Sequence, residues 1–144
     1  RAGARLRERC LNESAPMLSP EEERWVMQAV KLIDLGHLDL YVAGDDALRD
    51  EVLGIFETQA EMWADLLDPE AEDAVWRNAA HALKGAARGV GAWQLGDICA
   101  EAETLTGLAP GLIGRRRAIL ETLRRTGRET IDEIRALRDG NLPA

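Results

Sequence analysis

The chain has 144 residues, 46% of them hydrophobic and 31% charged, which is typical of one globular domain and excludes a disordered chain. Its 26 acidic residues outnumber its 18 basic ones, and the net charge of −8 disfavours nucleic acid or an anionic membrane as the main partner. No apolar run approaches the ~20 residues of a membrane helix, and two cysteines are too few for a disulfide framework or a metal cluster. We therefore expect a cytoplasmic protein without a metal site.

The predicted elements are all helices, because every long segment has helical apolar spacing and none alternates as a strand does. Residues 1–18 form an N-terminal extension that we expect to fray, and residues 19–144 form the domain. A first helix begins at Ser19, a good N-cap that precedes Pro20. Its predicted apolar face comprises Trp25, Ala29, Leu32 and Ile33. A short helix spans His37 to Val42.

Four longer helices follow. Asp45 or Asp46 caps the first of them. Its predicted apolar face comprises Leu48, Val52, Ile55, Phe56, Trp63, Leu66 and Leu67. The second is predicted to run from Asp68-Pro69 to near Gly89 or Gly91, and the third from Trp93 to Thr106. The fourth is predicted to run from Leu112 to near Leu137. Short connections favour antiparallel neighbours, so the predicted fold class is all-α: an antiparallel up-down four-helix bundle with an extra N-terminal helix.

The segment from Asp73 to Val90 carries the most informative pattern. Its predicted core sector lies opposite His81 and comprises Val75, Ala79, Ala82, Leu83, Ala86 and Val90. His81 is therefore predicted to face solvent. The residues that share its stripe are Arg77, Lys84, Gly85 and Arg88, with Ala74 a turn further back. Residues 11–111 hold only six basic residues, so three cations beside one imidazole indicate a site.

These residue types suit phosphoryl transfer. A neutral imidazole is a good nucleophile toward phosphorus near pH 7. A lysine one turn away offsets the negative charge that a transferring phosphoryl group spreads over its oxygens. Glycine inside a helix costs ~1 kcal/mol relative to alanine, and at Gly85 the missing side chain leaves room for another protein to bring a phosphate to the ring.

The block Ala80-His81-Ala82-Leu83-Lys84-Gly85-Ala86-Ala87, followed by Gly91, Leu95 and Glu103, resembles the signature of histidine-containing phosphotransfer (HPt) domains of two-component phosphorelays. The resemblance covers residues 34–106. It implies a four-helix bundle whose histidine accepts phosphate from a receiver aspartate and donates it to another receiver.

The resemblance also implies a role for each matching residue. His81 is the phosphoacceptor, Lys84 neutralises charge, and Gly85 gives the receiver clearance. Glu103 is expected to hydrogen-bond the imidazole. The partner is expected to meet Arg77, Arg88 and Ala74, of which Arg88 departs from the small or hydroxyl-bearing residue usual in the family.

The implied function is that of a phosphoryl carrier rather than a turnover enzyme. We expect no intrinsic cofactor, magnesium supplied by the partner receiver, and a monomeric chain. The expected partners are response-regulator receivers, with a hybrid histidine kinase as a further candidate, and neither nucleic acid nor membrane. The sequence holds no Gly-x-x-x-x-Gly-Lys phosphate loop and no nucleotide-binding segment of a histidine kinase, so we expect no self-phosphorylation from ATP.

Three other functions stay open: the phosphoacceptor domain of a chemotaxis-type histidine kinase, a helical interaction bundle that uses no phosphate, and a dimeric phosphatase or pseudo-kinase scaffold. The last helix carries a basic patch that we interpret as a solvated face, made of Arg115, Arg116, Arg117, Arg124, Arg125 and Arg128. Cys99 is predicted to be a small core residue.

Overall fold

The computed structural model describes residues 32–139, in which all regular structure is helical. The helices are α1 (Leu35–Val42), α2 (Asp46–Asp65), α3 (Asp73–Gly89), α4 (Trp93–Glu103) and α5 (Leu112–Asp139). The N-terminal extension, 1–18, and the extra helix predicted from Ser19 lie outside the described residues, except that Leu32 and Ile33 form a bend.

The four longer helices close into a bundle, and this confirms the predicted fold class. Helix α3 packs against α2 and α4, and α5 packs against the same two helices from the other side. Helices α2 and α5 are antiparallel, because Gly54 of α2 lies against Arg138 of α5, whereas Ala64, later in α2, borders the same groove as Leu123, earlier in α5. The short α1 packs against α2.

Acidic side chains set the helix starts. Asp34 accepts the backbone N–H of His37 at 3.0 Å and caps α1, and Asp45, rather than Asp46, accepts the N–H of Leu48 at 3.0 Å and caps α2. The prediction that a helix begins at Asp68-Pro69 is wrong. The Asp68 carboxylate accepts the N–H of Glu70 and closes a local turn, so α3 begins only at Asp73.

The buried face of α2 differs from the predicted one. It is made of Arg49, Leu53, Phe56 and Ala60, whereas Leu48, Ile55 and Leu66 are exposed. The apolar stripe of α2 is wider than the strip that its neighbours cover. Leu48, Ile55 and Leu66 therefore stay in solvent at the edge of this stripe.

The buried face of α3 is also rotated from the prediction. It comprises Trp76, Ala79, Ala80, Leu83 and Ala87. Val75, predicted to lie in the core, is 44% exposed. Trp76 decides the rotation because it is fully buried and its indole N–H donates to the carbonyl of Ala102 on α4 at 2.7 Å. Alanines beside it let α4 approach closely. His81 keeps its predicted position on the outer side of the helix.

Arg116 is an exception to the solvated basic patch. Its side chain is buried, donates to the carbonyls of Leu105, Pro69 and Ala71, and pairs with Asp73 at 2.7 Å. The guanidinium also lies 4.9 Å from the centre of the Trp76 ring. It therefore ties the α2–α3 and α4–α5 connections together. The other five arginines of the patch are exposed, as predicted.

Candidate functional site

The imidazole of His81 projects from the middle of α3 and is held from α4. Its side chain is 67% exposed, and its Nδ1 lies 2.8 Å from Oε1 of Glu103. Nζ of Lys84, one turn further along α3, lies 2.5 Å from Oε2 of the same carboxylate. One carboxylate at the end of α4 thus joins the histidine and the lysine.

Close packing of α3 on α4 places Glu103. Ala80, Ala87 and Ala102 are fully buried between these helices. The hydrogen bond from Trp76 to the Ala102 carbonyl fixes the backbone one residue before Glu103. Trp76 is therefore a positioning residue. The sequence pattern does not predict this role, because helical spacing indicates that a tryptophan is buried but not which carbonyl its N–H contacts.

The electrostatics of the cluster assign the imidazole tautomer. The hydrogen bond from Lys84 lowers the pKa of Glu103, and the hydrogen bond from His81 adds to this effect, while burial opposes it. Glu103 is therefore ionised and can only accept hydrogen bonds. Nδ1 of His81 must donate the proton, so the neutral ring carries its lone pair on Nε2.

Space for a partner lies next to the ring. A Cβ atom added to Gly85 would meet no atom within 4 Å. A groove of about 310 Å³ starts there and runs between α3 and α2. It is lined by Tyr41, Val52, Ile55, Phe56, Gln59, Gly85, Ala86, Gly89 and Val90.

Exposed apolar side chains surround this groove. Tyr41 and Ile55 line it and are 64% and 52% exposed. Leu48 and Met62 lie one heptad before and after Ile55, hence on the same side of α2, and are also exposed. We call Tyr41 of α1 together with Leu48, Ile55 and Met62 of α2 the α2–α3 apolar surface, after the groove that Tyr41 and Ile55 line. Helical spacing alone assigned Leu48 and Ile55 to the core, so it did not predict this surface.

Comparison with known proteins identifies the family. The model of the Hpt domain family matches residues 48–140, which is more than half of the chain. The chain belongs to the Hpt family. It is also similar to the crystal structure of histidine phosphotransferase ShpA from Caulobacter crescentus, with 36% identity, a TM-score of 0.59, and coverage of 75% of this chain and 91% of that one. No curated protein matches the sequence. The function of this Hpt domain is histidine phosphotransfer in a phosphorelay.

The remaining predicted residues of the Hpt site lie on the same side of α3. Arg77 and Ala74 are exposed, and within residues 32–139 Arg77 makes no ion pair. Arg88 leans toward α4, where its alkyl chain covers Gly96 and its guanidinium lies 4.0 Å from Asp97. Of the three predicted cations, Lys84 alone reaches the carboxylate that holds His81.

Three further features concern chemistry outside this cluster in the described part of the chain. Burial raises the pKa of Cys99 to about 12, so this fully buried thiol is not a nucleophile. Residues 32–139 contain no group of three His, Cys, Asp or Glu side chains that could hold a metal ion. None of the five described helices is long and apolar enough to cross a membrane.

Proposed function

We propose that this Hpt domain carries its phosphoryl group on Nε2 of His81, taking it from the phosphoaspartate of one receiver and passing it to the aspartate of another. The observation that supports this assignment is the hydrogen bond between Nδ1 and the ionised Glu103, because it leaves the lone pair on the exposed Nε2. His37, the other histidine, contacts the Trp93 ring, and within residues 32–139 no carboxylate–lysine ion pair lies beside it.

In the proposed step, Nε2 attacks phosphorus in line with the aspartyl oxygen. The Nε2–P bond forms as the P–O bond to the aspartate breaks, and the aspartate leaves as a carboxylate. The ring becomes positively charged as it accepts phosphorus. Glu103, already bound to Nδ1–H, stabilises that charge without moving. The reverse step onto a second receiver uses the same contacts.

Lys84 and Gly85 serve the incoming phosphoryl group. Lys84 neutralises Glu103, whose negative charge would otherwise repel the phosphoryl oxygens, and it lies one turn from the ring. The open space over Gly85 admits the edge of the receiver's active site. We propose that magnesium enters with the receiver and that this chain supplies no cofactor of its own.

The α2–α3 apolar surface is the proposed contact for the receiver. An apolar groove with exposed large side chains at its rim, next to the reacting atom, is the kind of surface that protein partners cover. Arg77 and Arg88 are exposed on the helix that carries His81 and suit a partner that is acidic around its active aspartate. We propose that the chain acts as a monomer in the cytoplasm, with a receiver or a hybrid histidine kinase as donor.

The experiment is transfer of labelled phosphate from a phosphorylated receiver to the full chain and to two histidine variants. His81→Ala is expected to take up no label, and His37→Ala, the matched control, is expected to take up as much as the parent chain. The product should be labile in acid and stable in alkali, as expected for a phosphohistidine. Label that persists in His81→Ala, or that disappears only in His37→Ala, contradicts the assignment.

Two further arms separate the alternative functions. A histidine-kinase ATP domain replaces the receiver as donor, and transfer from it alone would favour a chemotaxis-type phosphoacceptor domain. Binding to a receiver is then measured with and without phosphate. Equal binding in both states, unchanged by His81→Ala, would favour an interaction bundle that uses no phosphate.

A further inference from the structure

The first half of α5 carries a basic groove beside the connection between α2 and α3. Its volume is about 520 Å³. Four exposed arginines line it: Arg117, Arg124, Arg125 and Arg128. Among its described lining residues Glu121 is the single carboxylate. We call this the α5 basic groove. It concentrates positive charge on a chain whose net charge is −8.

The four arginines of this groove are available to a ligand. Within residues 32–139 none of them forms an ion pair, whereas Arg116 and Arg135 of the same helix each pair with a carboxylate. Glu121 lies four residues after Arg117 and four before Arg125, the spacing at which helical ion pairs form, yet it pairs with neither. The positive charge of the groove is therefore not cancelled by its own helix.

The spacing of the arginines gives the groove a direction and a length. Arg124 and Arg128 lie seven and eleven residues after Arg117, so the three side chains share one face of α5. The span from Arg117 to Arg128 is about 16 Å at 1.5 Å per residue. An extended peptide of about five residues covers the same length. Guanidinium groups form paired hydrogen bonds with carboxylates, so a row of them suits a row of acidic side chains.

We propose that the α5 basic groove binds a short acidic segment of a partner protein. The positive surface is narrow, because Arg124 and Arg128 also line the neighbouring groove, whose α2 wall carries Glu61 and Asp65. These carboxylates repel the second row of phosphates that a nucleic acid duplex presents, whereas a single peptide chain fits beside them.

This surface is separate from the phosphotransfer site. The α5 basic groove and the groove beside Gly85 have no lining residue in common. An acidic segment bound on α5 therefore leaves His81 open to a receiver. The proposal does not rest on phosphoryl transfer, and substitutions in the α5 basic groove are expected to leave the transfer rate within about twofold of the parent rate.

The test measures binding of a fluorescent polyglutamate peptide of about eight residues to the full chain, with polyglutamine as the neutral peptide. Arg125→Gln should weaken polyglutamate binding roughly 2- to 5-fold, and Arg117→Gln with Arg125→Gln roughly 5- to 20-fold. Arg115→Gln is the matched control, because Arg115 is also an exposed α5 arginine without an ion pair in residues 32–139 but lines a different groove, toward α4. It should change binding less than about 1.5-fold. Raising the salt concentration from about 50 to about 200 mM should weaken binding to the parent chain.

An equal loss in Arg115→Gln and Arg125→Gln overturns the proposal, because general charge attraction then accounts for binding. Binding of polyglutamine as tight as that of polyglutamate overturns it as well. A single-stranded DNA oligonucleotide of equal charge, or an anionic phosphatidylglycerol vesicle, that binds more tightly through the same arginines assigns the groove to that ligand instead.

Two control measurements complete the test. Sedimentation of the parent chain alone should give the mass of a monomer, and a doubled mass that Arg117→Gln with Arg125→Gln abolishes assigns the groove to a second copy and refutes the proposal. Phosphoryl transfer from a receiver is measured in the same double variant. A loss of transfer rate equal to the loss of peptide binding contradicts a separate surface.

Discussion

Replacement of Glu103 is the sharpest test of how the site works. Its carboxylate accepts from Nδ1 of His81 at 2.8 Å and from Nζ of Lys84 at 2.5 Å. Glu103→Ala removes both contacts. Glu103→Gln keeps an amide oxygen that can accept from Nδ1 but removes the charge that stabilises the phosphorylated ring. We therefore expect transfer rates in the order parent, Glu103→Gln, Glu103→Ala.

The magnitude follows from the exposure of the partners. A charge-assisted hydrogen bond contributes about 1.5–3 kcal/mol when shielded from water, and exposed ion pairs contribute less than about 1 kcal/mol. The His81 side chain is 67% exposed and that of Glu103 is 22% exposed, so an intermediate value of about 1–2 kcal/mol applies to Glu103→Ala. This corresponds to a roughly 5- to 30-fold slower transfer, and to roughly 2- to 5-fold for Glu103→Gln.

Rapid-quench transfer from a phosphorylated receiver measures these rates under single-turnover conditions. Glu101→Gln is the control, because Glu101 is exposed on the same helix and lines a groove between α4 and α5 rather than the site at His81. Circular dichroism and urea unfolding confirm that each variant is folded. Transfer by Glu103→Ala at the parent rate, or an equal loss in Glu101→Gln, would refute the role given to the carboxylate.

Four further outcomes are expected. A side chain added at Gly85 meets free space, so Gly85→Leu should keep the bundle folded but slow transfer at least roughly tenfold by obstructing the receiver. Gly114 on α5 has the same free space, and Gly114→Leu should leave the transfer rate unchanged. Lys84→Gln should slow transfer roughly tenfold, and titration should show the pKa of Glu103 returning toward its ordinary value. The pKa values of Glu103 and Asp34 are lowered in the folded state, so the stability that these carboxylates contribute is complete above their ordinary values of 4.5 and 3.8 and is lost as pH falls through the lowered values. Urea unfolding as a function of pH should show this loss of stability. The loss should be smaller in Glu103→Gln and in Asp34→Asn. Arg116→Met should lower the free energy of unfolding by about 2–4 kcal/mol with unchanged transfer per folded molecule, and a loss below about 0.5 kcal/mol would contradict its bridging role.

The order of the helices and the exposure of His81 could be predicted from local patterns. Caps such as Asp34 and Asp45 act within three residues, and the stripe that carries His81, Lys84 and Gly85 follows from helical geometry alone. The resemblance to the Hpt signature singled out Glu103. The 2.8 Å contact with the imidazole depends on how α3 and α4 pack, which no spacing along the chain specifies.

The sequence by itself determined an all-helical bundle and a solvent-facing histidine, because amphipathic periodicity acts within one helix. Tertiary structure decided which apolar residues are covered, since that depends on the neighbours each helix acquires. Leu48, Ile55 and Val75 have the spacing of core residues yet remain exposed, while Arg116, in a basic run, is buried because carbonyls from two connections surround its guanidinium. The sequence of a helix sets the width of its apolar stripe, but the neighbouring helices decide which residues of that stripe are buried.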